Sequence, residues 1–175
     1  MDGHAPKTIS QYLTNNHTWL HALLSAAGHG GRFDAAAFAE FRTSVLRHIA
    51  IEEKLLLPAV RRVRGAPIAQ ARALRVEHAA LTSLLVPTPD LALCAEIGAL
   101  LSAHDAQEEG DDGVYAQCEW LLGAERSRVL AEQAGNFPAV PVAAHFDGPG
   151  TYRTAELALA AASRITVTKH QRLEP

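Results

Sequence analysis

Two segments of this chain carry one pattern, His48-Ile49-Ala50-Ile51-Glu52-Glu53 and His104-Asp105-Ala106-Gln107-Glu108-Glu109. A histidine and a carboxylate four residues apart on a helix share one face, so both heads reach one point. The first copy lies on a stripe of Phe38, Phe41, Val45, His48, Glu52, Leu55 and Ala59 at steps of three and four, the signature of a buried helix face. The second lies on Ile97, Leu101, His104, Glu108, Tyr115, Cys118 and Leu122, with Asp111 in the same register. A carboxylate left unpaired on such a face is strongly destabilising. Any fold of this chain must therefore compensate two imidazoles and two carboxylates inside its core.

The helices that carry these residues are legible from their ends. Thr8 with Gln11 reads as a capping box opening a helix that runs to Gly28, with Ile9, Leu13, Leu20 and Leu24 on its apolar side. His17 falls on that stripe and His21 one turn further on. Asp34 reads as the N-cap of a second helix, stapled by Phe33 and Phe38 and closed by the basic run Arg61-Arg62-Val63-Arg64 before Gly65. Pro58, inside it, is expected to bend it. Pro67 is placed in the first turn of a third helix bearing Leu74, His78, Leu81 and Leu85. Pro87-Thr88-Pro89-Asp90 leads to the fourth, which Gly110-Asp111-Asp112-Gly113 should kink, bulge or break. A short fifth helix, about Ala124 to Ala134, ends at Gly135. Composition then shifts to Pro, Gly, Val and Ala, dividing the chain into residues 1–135 and a linker with a separable tail, 136–175. In the tail, Thr151 to Ser163 suits a helix and the β-branched Ile165 to Thr168 an extended segment.

The chain repeats internally. His17, Leu20, Leu23 and Leu24 match His78, Leu81, Leu84 and Leu85, as His48-x-x-x-Glu52-Glu53 matches His104-x-x-x-Glu108-Glu109. Two helical hairpins, each delivering one His and then one His-x-x-x-Glu, close as an all-α, up-down antiparallel four-helix bundle with a short fifth helix and a C-terminal extension. Six ligand-type residues then project toward one level of the core. Two carboxylates able to bridge, with imidazoles around them, suit a di-iron or di-manganese site. Zinc more often takes fewer ligands in a tetrahedron, and neither cysteine lies near the motifs.

Composition excludes other classes. The chain of 175 residues has 48% hydrophobic and only 6% aromatic residues and a net charge of -3, which favours one helical domain and gives no basic stripe for nucleic acid. No apolar run is long enough for a membrane span, and no apolar segment near Met1 reads as a secretory leader. Two cysteines make no disulfide framework, so a reducing, cytoplasmic setting is the expectation.

With "NHTWLHALL", "HIAIEEKLLLPA", "VEHAALTSLL" and "HDAQEE", residues 8 to 135 resemble the hemerythrin-like, or HHE cation-binding, family. The resemblance implies a non-haem centre of two iron ions, oxo- or hydroxo-bridged, with Glu52 and Glu108 as bridges. His17 and His48 would serve one iron, His78 and His104 the other. Departures exist. Oxygen-carrying members have His-x-x-x-His on the third helix, where this chain has Thr82, and an aspartate five places after the fourth-helix histidine, where it has Glu109. The pattern is closer to a bacterial subgroup and to an iron-sensing ubiquitin-ligase subunit. The His-x-x-x-His pair falls on the first helix instead, which makes His21 an expected further ligand of the His17–His48 iron.

The functions implied are binding or sensing of oxygen, nitric oxide or iron, or an oxidoreductase acting on peroxide or reactive oxygen and nitrogen species. A third class is an interaction bundle that its metal merely holds together. Glu53 and Glu109 point off the bridging face, to solvent or to partners of the ligands. Asp111, Asp112, His4, His29, His145 and His170 read as loop or surface.

Overall fold

In the computed structural model of this protein, residues 6–171 are described, with side chains as far as Ile165. All regular structure among them is helical: α1 (Ile9–Ala27), α2 (Ala35–Ile51), α3 (Leu57–Arg64), α4 (Ala71–Leu84), α5 (Leu91–Glu109), α6 (Val114–Gly135) and α7 (Ala155–Gln171). No helix among the described residues is long and apolar enough to cross a membrane.

The caps follow the sequence closely. Thr8 Oγ1 accepts from the Gln11 amide at 3.1 Å, while Gln11 Oε1 reaches past Thr8 to accept from the Lys7 amide at 2.9 Å. Asp34 accepts from Ala36 and Ala37, and Asp90 from Leu93. Gly65 ends α3 in the left-handed region at φ 79, which a residue with a Cβ reaches only with strain.

Pro58 is accommodated by a change of helix type. It has no amide hydrogen for the carbonyl four residues back, and the turn before it widens into a π turn over Glu52–Leu56, in which the Leu57 amide donates to Glu52 O. The extra residue shifts the register of the stripe. Leu56 at its end and Leu57, Ala59 and Val60 beyond it are buried, while Leu55, expected in the core, is only half-buried. The third-helix expectation is also corrected: α4 starts at Ala71, and Pro67 lies in the turn before it, with Ile68 buried beneath.

The Gly110–Gly113 segment breaks the chain between α5 and α6. A Cβ on Gly113 would sit 2.5 Å from Glu108 O, so only glycine permits this close return of the backbone. The short fifth helix is the second part of α6, beyond a non-helical residue at Gly123 (φ 71, ψ 164).

Two apolar clusters make the core. One contains Leu20, Leu24, Phe38, Phe41, Val45, Leu81, Leu84, Ile97 and Leu101; the other contains Ile9, Leu13, Ile51, Leu56, Leu74, Val114, Tyr115 and Cys118. On α1, α2, α4 and α5 the paired histidines and glutamates occupy the level between them. The polar layer is thus closed by hydrocarbon above and below.

The segment expected as a linker to a separable tail has no regular structure from Phe137 to Asp147 but is fastened to the helices. Arg42 donates to Ala143 O at 2.8 Å, the Phe146 amide donates to Val86 O at 3.0 Å, and Asp147 accepts from the Thr88 amide at 2.8 Å. Glu96 caps α7 by accepting from Ala155, and α7 packs along α4, burying Ala158 and Ala162 in the first cluster. Ile165 to Thr168 belong to this helix rather than to an extended segment, because alanine-rich sequence before them carries the helix through. His4 and the His170 side chain lie outside the described parts.

Candidate metal centre

Side chains from four helices meet in the polar layer. His17 comes from α1, His48 from α2, Glu52 from the π turn, His78 from α4, and His104 and Glu108 from α5. Each is at most 3% exposed. They form two overlapping groups, His17, His48, Glu52 and Glu108, and Glu52, His78, His104 and Glu108. Within each group one donor atom per residue lies within 4.8 Å of every other. Both groups share the two glutamates, and the ring nitrogens that converge are Nε2. His17 Nε2 is 3.0 Å from His48 Nε2, and His78 Nε2 is 3.0 Å from Glu52 Oε2.

These contacts do not satisfy the donors and acceptors they bring together. Two imidazole nitrogens facing each other can share at most one proton. His78 Nε2 and Glu52 Oε2 are close, yet their alignment is off the line of a hydrogen bond, and both count among the buried atoms without a hydrogen-bond partner, as does His104 Nε2. Buried polar atoms are otherwise almost always partnered. Imidazole nitrogens and carboxylate oxygens aimed at two common points are the donor set a pair of metal ions requires. The residues fit a metal.

The opposite ring nitrogens are held from outside. His17 Nδ1 pairs with Glu109 Oε1 at 2.5 Å, His78 Nδ1 with Glu53 Oε1 at 2.9 Å and His104 Nδ1 with Glu77 Oε2 at 2.7 Å. The first two pairs cross between hairpins: the glutamate after each shared glutamate serves the lone histidine of the other repeat. A carboxylate on Nδ1 fixes the ring and holds a proton on that nitrogen, so Nε2 is the atom that can give up its proton to a metal. His48 has no such partner, and its Nδ1 is buried without a hydrogen bond. The repeat explains this, since Asn16 occupies the place that Glu77 holds before His78.

No protein-family model matches this chain, and no match is found among curated proteins or solved structures. The geometry alone establishes a helical protein with buried His/Glu clusters that could hold metal.

Electrostatics describes what the protein alone does with these groups. Burial by itself lowers His17, but the Glu108 hydrogen bond, the charges of Asp105 and Glu108 and the Glu109 hydrogen bond outweigh it, pushing His17 up to about 9. Burial also lowers His78, and Glu52 and Glu53 outweigh it, to about 10. His104 is raised against its burial by Glu77 and by the Glu108 charge. Burial raises Glu52, yet His48 and His78 hold it well below the usual carboxylate range. In the metal-free protein, imidazolium and carboxylate thus compensate each other, and a cation entering the layer displaces protons.

Sequence reasoning missed three participants. Tyr115, placed on the buried stripe of the second repeat, carries its hydroxyl into the layer, 2.5 Å from Glu52 Oε1 and 3.0 Å from Glu108 Oε2. Burial, the charges of both glutamates and their hydrogen bonds push this phenol well above its ordinary range, so it keeps its proton. Glu77 precedes His78, and its position one residue from a core histidine was its only signal. Asp105 is buried beside His17. His21 does not join either group: its Nε2 bonds Asp105 Oδ2 at 2.8 Å, and its side chain is 41% exposed. Asp111, Asp112, His29 and His145 are exposed, as expected. Cys94 and Cys118 are free and buried.

Proposed function

We propose that this chain is a hemerythrin-like protein, an up-down antiparallel bundle whose layer holds two non-haem iron ions and which binds or senses oxygen, nitric oxide or iron in the cytoplasm. The observation that carries the reading is the pair of ligand groups sharing Glu52 and Glu108. The bundle topology is supported by the order in which helices traverse the layer: α1 and α4 run from the Leu13–Leu74 cluster to the Leu20–Leu81 cluster, α2 runs back, and α5 leads from the Leu20–Leu81 cluster through the layer to Val114 of α6 in the other. His17 and His48 would hold one ion, His78 and His104 the other, with both glutamates between them. Iron at such a site supplies one-electron redox chemistry toward small oxygen and nitrogen ligands.

The chain's own residues set the conditions for that chemistry. Glu109, Glu53 and Glu77 orient three of the four rings. Leu13, Leu20, Val45, Leu81 and Leu101, each one turn from a histidine of the layer on its own helix, belong to the buried clusters on either side, and the residues of the two ligand groups are at most 3% exposed. Tyr115 holds a proton at its hydroxyl between the shared glutamates, where it can donate to an oxygen brought into the layer.

That proton also favours a second reading, a di-iron oxidoreductase acting on peroxide or reactive oxygen and nitrogen species, for which a buried donor beside the site is an asset. Metal analysis with an optical spectrum of the aerobically purified protein tests the centre, with two irons per chain expected. Glu52→Ala with Glu108→Ala should abolish it, and two irons retained in that double variant would refute the assignment. Stopped-flow mixing of the reduced protein with oxygen and with peroxide separates the two functions: a stable adduct supports binding, repeated turnover the oxidoreductase.

A further inference from the structure

The two halves of the repeat also differ at a buried carboxylate and its partner. In the second half, the residue after the ligand histidine is Asp105, and it meets His21 of α1. The equivalent residues in the other half are Ile49 and Thr82. Ile49 is part of an apolar cluster, and Thr82 Oγ1 donates to the carbonyl of His78 on its own helix, at 2.7 Å. A carboxylate thus stands inside the layer on one side where hydrocarbon stands on the other.

Asp105 is oriented. Its side chain is 9% exposed, and His21 takes Oδ2 at 2.8 Å, which turns Oδ1 inward to 3.5 Å from His17 Nε2. That oxygen is buried without a hydrogen-bond partner. A buried carboxylate oxygen in this state is costly unless a cation meets it. Two donors on neighbouring places of one octahedral ion lie roughly 3 Å apart, so a small side-chain rotation brings Oδ1 and His17 Nε2 onto one ion. The His17–His48 side of the layer, which this oxygen faces, lacks the outer carboxylate that Glu77 gives His104, because Asn16 stands there. Asp105 restores negative charge to that side, from inside the layer.

We infer that Asp105 is a third carboxylate ligand of the metal position between His17 and His48, with His21 as its positioning residue. This rests on the dinuclear reading above. The two positions are then unequal, and the one between His78 and His104 has fewer protein ligands.

The test is anaerobic titration of the full chain with Co(II), whose visible d–d absorption strengthens as coordination number falls. Wild-type protein should take up two Co(II) per chain; uptake of one or none overturns the dinuclear reading and this inference with it. With two bound in the wild type, Asp105→Asn should weaken one equivalent by at least the ~10-fold that loss of even an outer partner costs, and strengthen its absorption, while the other equivalent is unchanged. His21→Ala, on a half-exposed side chain that is safe to truncate, should shift the same band with a smaller loss of affinity. If Asp105→Asn folds and binds both equivalents with wild-type affinity and spectrum, Asp105 is not a ligand and the dinuclear reading survives. If Asp105→Asn does not fold, the same conclusion follows from a His21→Ala spectrum identical to wild type.

Discussion

Replacing Glu77 should weaken metal binding through His104 without touching a ligand. His104 is 1% exposed, and its Nδ1 meets only Glu77 Oε2, at 2.7 Å. Glu77→Ala leaves that N–H buried and unpaired, a loss of about 1–3 kcal/mol, and frees the ring to turn. Outer partners of this kind are worth about 10–100-fold in metal affinity. The Glu77 side chain is 15% exposed, so water replaces part of the lost bond and the lower half of that range is expected. Glu77→Gln keeps an acceptor and should lose less. Glu109 makes the equivalent contact to His17 but is 36% exposed, so Glu109→Ala should cost less than Glu77→Ala. The converse change, Asn16→Glu, supplies His48 with the outer carboxylate its half lacks and should tighten binding. Competition titration against a chelator of known affinity reads all four variants. Wild-type affinity in Glu77→Ala, or a larger loss in Glu109→Ala, would refute the argument that Nδ1 carboxylates hold the rings.

The metal-free protein should lose stability as pH rises from about 6.5 toward 10. Unfolded imidazoles titrate near ~6.5, whereas His17 is raised to about 9 and His78 to about 10 in the fold. Their contribution is complete below the unfolded value and is lost as pH climbs through the folded ones; a denaturation midpoint that is flat or rising over that window contradicts it. Truncation after Gly135 should lower the unfolding midpoint, since α7 covers α4 and the segment before it is fastened to Arg42 of α2. The buried methyls of Ala158, Ala161 and Ala162 alone account for ~2 kcal/mol at about 0.8 kcal/mol each. A truncated chain as stable as the full one, by thermal or urea denaturation, would show that residues 136–175 form a separable unit.

Much of the site was legible because helix periodicity is a local property. The spacing of His48 and Glu52, and of His104 and Glu108, puts each pair on one face whatever surrounds it, and the repeat shows that two such faces need each other. The caps at Thr8, Asp34 and Asp90 and the break at Gly110–Gly113 are likewise written in neighbouring residues. What the sequence could not supply is which face meets which across the core. Glu77 reaches His104 from 27 residues away and Asp105 reaches His21 from 84, and adjacency to a core histidine is the one local mark that sets either apart from a surface carboxylate. The π turn at Glu52–Leu56 moved Leu55 out of the core, since a proline constrains the backbone but leaves open how the helix absorbs it. The tail was read from composition alone, and the packing of α7 along α4 was not legible in it, because alanines carry too little hydrophobic signal to reveal a buried face until α4 is there to cover it. Which imidazoles and carboxylates share a helix face was decided by the chain in sequence; ring orientation, proton placement and the presence of Asp105 on one side of the layer were decided only when the helices packed, because each depends on an atom brought in from another helix.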